Sequence, residues 1–151
     1  MSNIDARYIG NDTALASTVT VGEGAIIGEN GLIEEYGFIG RRSIVMRNVR
    51  IGPFSGIGDS VRIGSNFHLK EVSFIKSNVT IGSDVTIGND TRVGRRSIIM
   101  DDVVISDNVT IGDDVLIESG VYIGEGVFIC DGATITQSVA NHTAVAEGEV
   151  W

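Results

Sequence analysis

Two kinds of side chain in this chain are suited to chemistry, imidazoles and paired guanidiniums. The two histidines, His68 and His142, carry groups that exchange protons near neutral pH. Guanidinium groups bind carboxylates and phosphates through a rigid fork of donors. The arginines concerned form two adjacent pairs: Arg41, Arg42, Arg95 and Arg96. The sequence therefore offers groups for proton transfer and groups for anion binding.

Both arginine pairs stand in a phrase that occurs twice, GRRSIVM at 40–46 and GRRSIIM at 94–100. A second pattern predicts the secondary structure in which this phrase lies. From Ile9 to Ile135 an aliphatic residue recurs every six positions, and all 22 of these positions hold Ile, Val or Leu. A small residue usually stands two positions earlier, and Gly follows in 12 of the 22.

This six-residue pattern predicts short strands joined by sharp corners. Residues two apart on a strand face the same side, so the small residue and the aliphatic residue point inward and the residue between them points outward. Gly, Asn and Asp after the aliphatic residue tolerate the left-handed backbone of a tight corner. A helix fits poorly, because six is no multiple of 3.6 and β-branched residues dominate. Strands repeated in this way stack into a solenoid.

The repeated phrase indicates how many sides each coil has. A two-sided coil of 12 residues would put the two copies on opposite sides, whereas a three-sided coil of 18 puts them at one corner, three coils apart. At a coil spacing of about 4.8 Å the arginine pairs would be roughly 14 Å apart. Two interpretations of the repeated phrase remain open. The arginine pairs bind an anionic ligand or a neighbouring subunit, or the phrase occurs twice only because an ancestral block was duplicated.

Composition limits the partners and the compartment. The 151 residues form one domain with a net charge of −9, which disfavours nucleic acid and anionic membranes as partners. A single cysteine, Cys130, excludes an internal disulfide and fits a reducing compartment. The start MSNIDARYIG has no apolar signal core, and no apolar run reaches membrane-span length. We expect a cytoplasmic protein without membrane insertion.

The outward residues divide among three faces of unequal character. One face is too aliphatic to stay in water along its length, because it presents Ile26, Ile44, Ile98 and Leu116. We expect a homotrimer to cover it. The corner between the other two faces gathers an aromatic patch, for which the 18-residue spacing predicts the members Tyr36, Phe38, Phe54 and Phe74, with Val72 beside them.

The hexad FHLKEV at 67–72 departs furthest from the pattern. It has Phe67 at the small position, Lys70 in place of the corner Gly, and His68 pointing outward near the aromatic patch. Local departures from a consistent pattern mark candidate functional sites. Arg50 and Thr86 fall one coil before and one coil after His68.

Hexads such as VTIGSD, VTIGND and VTIGDD resemble those of the hexapeptide-repeat acyltransferases, and GATITQSVANHTAVAEG at 132–148 resembles the closing segment of that family. The resemblance implies an all-β fold, a three-sided, left-handed parallel β-helix of about seven coils over 1–136, with a C-terminal strand and tail over 137–151. It also implies homotrimers with sites between neighbouring prisms. The implied activity is transfer of an acetyl group from acetyl-CoA to a hydroxyl or amine of a sugar or nucleotide-sugar.

Residue roles follow from the same resemblance. His68 is implied as the general base, because a histidine commonly serves so in these enzymes. The residues expected to bind substrate or acetyl-CoA surround it or supply charge for phosphates: Tyr36, Phe38, Arg50, Phe54, Phe74, Thr86, Arg41, Arg42, Arg95, Arg96 and His142.

Other interpretations remain open at this point. The unbroken register and the ending VAEGEVW, in place of the family's Gly-x-Pro-Ala-Lys ending, also suit a non-catalytic trimeric scaffold or assembly module. In that case His68 and the aromatic patch are subunit contacts, and His142 is an ordinary tail residue. A zinc site of three histidines fails because the chain has two, unless carboxylates substitute, which is rare at such a site. An ice-binding face is disfavoured because the threonines scatter over all three faces.

Overall fold

The chain folds into a three-sided parallel β-solenoid. The computed structural model describes residues 3–151, and within them there are 24 strands of two residues each and no helix. Sheet A contains β1 (Asn3–Ile4), β4 (Thr20–Val21), β7 (Phe38–Ile39), β10 (Gly56–Ile57), β13 (Phe74–Ile75), β16 (Arg92–Val93), β19 (Thr110–Ile111), β22 (Phe128–Ile129) and β24 (Ala144–Val145). Sheet B contains β2 (Tyr8–Ile9), β5 (Ile26–Ile27), β8 (Ile44–Val45), β11 (Arg62–Ile63), β14 (Thr80–Ile81), β17 (Ile98–Ile99), β20 (Leu116–Ile117) and β23 (Thr134–Ile135). Sheet C contains β3 (Ala14–Leu15), β6 (Leu32–Ile33), β9 (Arg50–Ile51), β12 (His68–Leu69), β15 (Thr86–Ile87), β18 (Val104–Ile105) and β21 (Tyr122–Ile123).

The predicted register is confirmed. Each strand pairs in parallel with the strand three places along the chain, so that Arg50 pairs with His68 and His68 with Thr86. The chain runs from sheet B to C to A in each coil, and three strands to a coil give about eight coils. The hexad ladder predicts 22 strands and about seven coils, and the structure has more because β1 precedes the ladder and β24 follows it.

The inward ladder forms the core. Residues such as Ile39, Ile57 and Ile87 are fully buried, and Val, also buried, is the residue found most often at the small positions between them. Phe67 occupies a small position and is also buried, with 1% of its surface exposed. The bulky ring is therefore accommodated inside the prism, and the departure seen in FHLKEV is a variation in core packing at that position.

The corners depend on left-handed backbone and on side-chain acceptors. The last residue of most corners has φ between 50° and 74°, and Asn, Asp or Gly usually occupies it. The residue before it often accepts a backbone N–H from the coil below, as Asp101 does from Ser83 and Asp107 does from Asn89, both at 2.8 Å. Many of the acidic residues therefore satisfy corner N–H groups that would otherwise lack a partner.

The repeated phrase has a structural reason. Ser43 and Ser97, which follow the two arginine pairs, are fully buried. Each hydroxyl donates to a carbonyl 15 residues along the chain, Gly58 for Ser43 and Gly112 for Ser97, and accepts the N–H of a residue 18 along. The repeated phrase thus marks two equivalent corners, in each of which a buried serine links neighbouring coils.

The last coil is shorter than the others. Ile129 pairs with Val145 and Ile123 bridges to Val139, a spacing of 16 residues where the earlier coils have 18. The chain then closes with Trp151, whose backbone N–H donates to the Thr134 carbonyl at 2.8 Å and whose ring packs on the core. The change of register falls near residue 136, and the division into 1–136 and 137–151 stays a prediction.

Sheet B presents the aliphatic face. Ile98 is 47% exposed, and Ile26, Ile44 and Leu116 are half-buried. A cavity of about 410 Å³ opens on this face beside Ile44 and Met46. Within residues 3–151 no helix could cross a bilayer.

Candidate functional site

His68 lies in the middle of sheet C. Strand β12 directs Leu69 into the core and leaves the imidazole half-buried on the outer face, between Arg50 and Thr86 on the neighbouring strands. Lys70 follows at the corner position that usually holds glycine and is exposed. The structure therefore brings together three residues that the sequence predicted to be neighbours, His68, Arg50 and Thr86.

The surroundings of His68 favour its neutral form. Partial burial lowers the pKa of the imidazole below its ordinary value of 6.5, and the charges of Arg50 and Lys70 lower it further, while Glu34 opposes them. Arg50 itself approaches Glu34, with Nη2 3.7 Å from Oε1. A neutral imidazole can accept a proton, so the local charges suit a general base at neutral pH.

A cavity of about 500 Å³ opens on sheet C over β3 and β6, the strands that precede Arg50 and His68 in the sheet. Its floor is apolar, formed by Ala14, Leu32 and Pro53 among others, and Glu34 lies at its edge. Sequence reasoning missed this cavity, because small or apolar outward residues on the first coils form it and no local motif marks them.

The aromatic patch stands at the corner between sheets C and A and on sheet A itself. The rings of Tyr36 and Phe54 are stacked, with centroids 4.9 Å apart. Phe38 and Phe74 lie on either side of Gly56, where an added Cβ would lie 3.2 Å from the Phe74 ring. All four rings are exposed, by 43% to 57%. The predicted patch therefore exists as a surface feature on the coils that carry Arg50 and His68 and their neighbours.

Three bulky residues of this corner adopt a backbone conformation that disfavours them. Tyr36, Phe54 and Val72 have φ of 57°, 54° and 56°. The left-handed region costs an L-residue about 1–2 kcal/mol, and most for bulky or β-branched side chains. Strain of this kind persists only where the surrounding structure, here the stacked coils, fixes the backbone conformation.

The arginine pairs lie three coils apart at the corner between sheets A and B. The Arg41 guanidinium is 3.3 Å from Asp59, and Arg96 forms two 2.8 Å hydrogen bonds to Asp114, each acid standing one coil along. That ion pair raises the pKa of Arg96 and lowers the pKa of Asp114. Arg42 and Arg95 form no ion pair within residues 3–151. These two are the members of the pairs with free guanidinium groups.

His142 lies far from His68 along the prism. It ends the corner after sheet C in the last coil, with φ of 57°, and its ring folds against Gly126, where an added Cβ would lie 2.5 Å from Nδ1. The side chain is exposed. Four coils separate it from the corner that holds Val72, so the structure does not bring the two histidines together.

A second cavity on sheet C was also missed by sequence reasoning. It measures about 290 Å³ and begins at Lys70 and Thr86, on the opposite side of His68 from the apolar cavity. Polar residues of the later coils line it, including Ser106, Tyr122 and Asn141. These residues are spread over some 70 positions of the sequence, and only the coil register assembles them.

Fold and repeat together define this molecule as a β-solenoid of hexapeptide units. The family model described as bacterial transferase hexapeptide (six repeats) matches residues 90–124 and 102–137. The matched segment therefore carries hexapeptide repeats, as its hexads indicated, and the chain is similar to the hexapeptide-repeat acyltransferases. No curated protein sequence matches the chain.

Solved structures show the same fold at low identity. An Arabidopsis UDP-N-acetylglucosamine acyltransferase is 15% identical, with a TM-score of 0.57, over 96% of this chain and 59% of that one. The polysialic acid O-acetyltransferase OatWY is 17% identical, with a TM-score of 0.50, over 100% of this chain and 90% of that one. A variant of the GDP-perosamine N-acetyltransferase from Caulobacter crescentus, solved with CoA and GDP-perosamine, is 16% identical, with a TM-score of 0.46, over 78% and 52%. This chain thus spans just over half the length of the first and third of these proteins.

Proposed function

We propose that this protein transfers an acyl group, acetyl in the simplest case, from an acyl-CoA thioester to a hydroxyl or amine of a sugar or nucleotide-sugar. The observation that carries the proposal is the position of His68, half-buried on sheet C between Arg50 and Thr86, with its pKa lowered and a polar cavity that begins at Thr86 and Lys70. The similar structures described above, a UDP-N-acetylglucosamine acyltransferase and a polysialic acid O-acetyltransferase, support the same class of reaction.

His68 acts in this proposal as a general base. The neutral imidazole takes the proton from the acceptor hydroxyl or amine as its oxygen or nitrogen attacks the thioester carbonyl carbon. The new ester or amide bond forms, the carbon–sulfur bond breaks, and the proton passes to the departing sulfur, so that CoA leaves as its thiol. Partial burial, and then the positive charges of Arg50 and Lys70, lower the pKa of His68 and so favour the neutral imidazole between turnovers.

The donor contacts are proposed from chemistry that the residues present can supply. A CoA thioester combines phosphates with a long, partly apolar arm, and it requires cations and an apolar surface. The free guanidiniums of Arg42 and Arg95 suit the phosphates, with Arg41 and Arg96 already bound to acids. The aromatic patch and the apolar cavity beside Leu32 suit the arm or a ring. His142 stays a proposed contact only for a ligand that reaches the last coil.

A homotrimer is proposed as the active form. Sheet B presents Ile44, Ile98 and Leu116 outward along the prism, and covering these side chains would remove apolar surface from water. A three-fold axis parallel to the prism would do so for all subunits alike. It would also allow arginines of one subunit to approach sheet C of the next. We place the protein in the cytoplasm, because its single cysteine fits a reducing compartment.

Binding and turnover test the proposal separately. Calorimetry with acetyl-CoA should show saturable binding that weakens as salt is added, because phosphate contacts are screened. Free thiol should then appear when acetyl-CoA is incubated with a panel of sugars and nucleotide-sugars. Absence of both binding and thiol release, in protein shown to be folded and assembled, would refute acyl transfer.

A non-catalytic scaffold is the second candidate. The observation that favours it is the uninterrupted register from β2 to β23, in which no loop protrudes from any coil to reach a neighbour's site. In that case the exposed rings of the aromatic patch are contacts between subunits. Phe54→Ala should then weaken assembly, whereas in the enzyme it should weaken acyl-CoA binding and leave assembly unchanged.

A further inference from the structure

We propose that the polar cavity on sheet C, lined by Lys70, Thr86, Ser106, Asp107, Tyr122 and Asn141, is a subsite for a single neutral or amino sugar ring. This inference rests on the proposed function, because the sugar bound in the cavity would be the acceptor of the acyl group. Sugar binding itself does not require that the protein catalyse anything.

The cavity begins one strand away from the candidate base. Thr86 is paired with His68 in the parallel register, and Lys70 follows His68 by two residues. Both line the cavity, which continues along sheet C toward the later coils. A ring bound here would present a hydroxyl or amine at the edge nearest His68, while the apolar cavity lies on the other side of the imidazole.

The cavity contains both hydrogen-bond donors and hydrogen-bond acceptors, a combination that suits a polyhydroxylated ligand. Ser106 Oγ donates to Tyr122 Oη at 2.8 Å, so the phenol hydrogen is left for another acceptor. Asn141 Oδ1 accepts the Glu125 N–H at 3.0 Å, which fixes the side-chain amide and leaves its NH₂ to donate. Asp107 uses Oδ1 for the Asn89 N–H, and its second carboxylate oxygen can accept from a ligand. Alternating donors and acceptors match sugar hydroxyls, each of which donates and accepts.

Tyr122 supplies the apolar surface that a sugar also needs. Its ring is 47% exposed on strand β21, and Val104, on the adjacent strand, is 43% exposed. An exposed aromatic ring with a polar tip can pack against the C–H face of a sugar while its hydroxyl bonds to the rim. The volume of about 290 Å³ lies just below the range of sites for drug-sized ligands, which span roughly 300–1,000 Å³. The cavity therefore suits one ring.

The charges around the cavity select among sugars. Two carboxylates, Asp107 and Glu125, face one ammonium group, Lys70. The last 55 residues of the chain contain no Lys or Arg, so the far end of the cavity lies in an acidic part of the prism. An anionic sugar is disfavoured there, and a sugar carrying an ammonium group is favoured.

Ligand-observed NMR and calorimetry without acyl-CoA test this subsite. The probes are D-glucosamine, N-acetyl-D-glucosamine and D-glucuronate, each titrated into the full-length protein. Glucosamine should bind most tightly and glucuronate at least tenfold more weakly. Failure of both glucosamine and N-acetylglucosamine to bind, or preferred binding of glucuronate, would overturn the proposal.

Variants locate the bound sugar. Tyr122→Ala should weaken glucosamine binding by about tenfold, and Tyr122→Phe, which keeps the ring and removes the hydroxyl, by a smaller factor. Phe128→Ala is the matched control, because Phe128 is a similarly exposed aromatic residue on sheet A, 50% exposed. Equal binding by wild type and Tyr122→Ala, with unchanged melting temperatures, would contradict the assignment.

The same variants separate this subsite from the proposed function. Sugar binding that depends on Tyr122 in a protein without acyl transfer would refute the enzyme and keep the subsite. Acyl transfer with an acceptor KM unaffected by Tyr122→Ala would keep the enzyme and refute the subsite. His68→Ala should abolish transfer and leave sugar binding in place.

Discussion

The aromatic rings of Tyr36 and Phe54 stack one coil apart, with centroids separated by 4.9 Å and planes inclined by 14°. The separation is close to the spacing of stacked strands, so the parallel register by itself places one ring over the other. Both residues have left-handed backbone angles, and Val72 extends the same column in the next coil. The corner between sheets C and A thus holds exposed apolar side chains where most corners hold Asn, Asp or Gly.

The strain in that column can be measured at Val72. Val72→Asn should raise the free energy of unfolding by about 1 kcal/mol, because Asn tolerates φ of 56° better than a β-branched residue. Asn108→Val, at the same corner with φ of 58°, is the reciprocal control and should lower stability by a similar amount. Denaturant melts of both variants give the comparison. A loss of stability in Val72→Asn would mean that contacts of the valine side chain outweigh its backbone strain.

The inward and outward positions of one strand should differ sharply in their effect on stability. Ile87 is fully buried, and Ile87→Ala should cost about 2–5 kcal/mol through lost burial and a cavity in the core. Thr86 beside it faces outward and is half-buried, and Thr86→Ala should cost less than about 1 kcal/mol. Thermal or chemical unfolding measures the loss of stability in the two variants. Similar losses from both would contradict the assignment of inward and outward faces.

Buried hydroxyls link the coils beneath the strained column. Ser73 Oγ donates to the Gly88 carbonyl at 2.7 Å and accepts the Thr91 N–H at 3.0 Å, and the side chain is fully buried. Ser73→Ala should therefore lower the free energy of unfolding by about 1–3 kcal/mol, because two buried backbone groups lose a partner. Ser83→Ala, which removes a hydroxyl acceptor in a more exposed corner, is the control and should cost less. Equal costs would show that water replaces the Ser73 hydroxyl inside the prism.

Most of the fold could be predicted from the sequence because one short period determines it. The ladder from Ile9 to Ile135 gives the position of every strand between β2 and β23, and the 18-residue coil gives the pairing of His68 with Arg50 and Thr86. The stack of Tyr36 on Phe54 follows from the same spacing.

The two cavities on sheet C could not be predicted in this way, for physical reasons that differ. The apolar cavity depends on which outward side chains are short, such as Ala14 beside Leu32, and on how far Pro53 and Glu34 extend over them. The polar cavity depends on the shortened last coil, which places Asn141 over Glu125 where an 18-residue coil would place Thr143. The hexad pattern shows only that the ladder stops after Ile135, where position 141 holds Asn, and it does not show that Val139 and Val145 continue the core two residues early.

The pKa of His68 should lie below its ordinary value of 6.5 in the folded protein, as burial and the charges of Arg50 and Lys70 require. The unfolded chain then binds more protons than the folded one between the two pKa values, so stability should fall as pH drops through this range. NMR titration of the imidazole measures the folded pKa directly. Glu34→Gln should lower it further and Arg50→Gln should raise it, because the first removes an opposing charge and the second removes a repulsive one. Shifts of the same sign in both variants would contradict this account of the site.

The central claim is that His68 is the base of an acyl transfer, and one comparison of variants tests it most directly. Thiol release from acetyl-CoA should be measured with the best acceptor of the sugar panel, in wild type, His68→Ala and His142→Ala, each with its oligomeric state and melting temperature determined. We expect His68→Ala to reduce kcat/KM by about 10²–10⁴-fold while assembly and melting temperature stay close to wild type. The His142→Ala control should keep most of the activity, because His142 lies four coils away, at the corner after sheet C, and lines neither cavity of that sheet. Equal rates for wild type and His68→Ala, in proteins that are equally folded, would contradict the claim and favour the scaffold in its place.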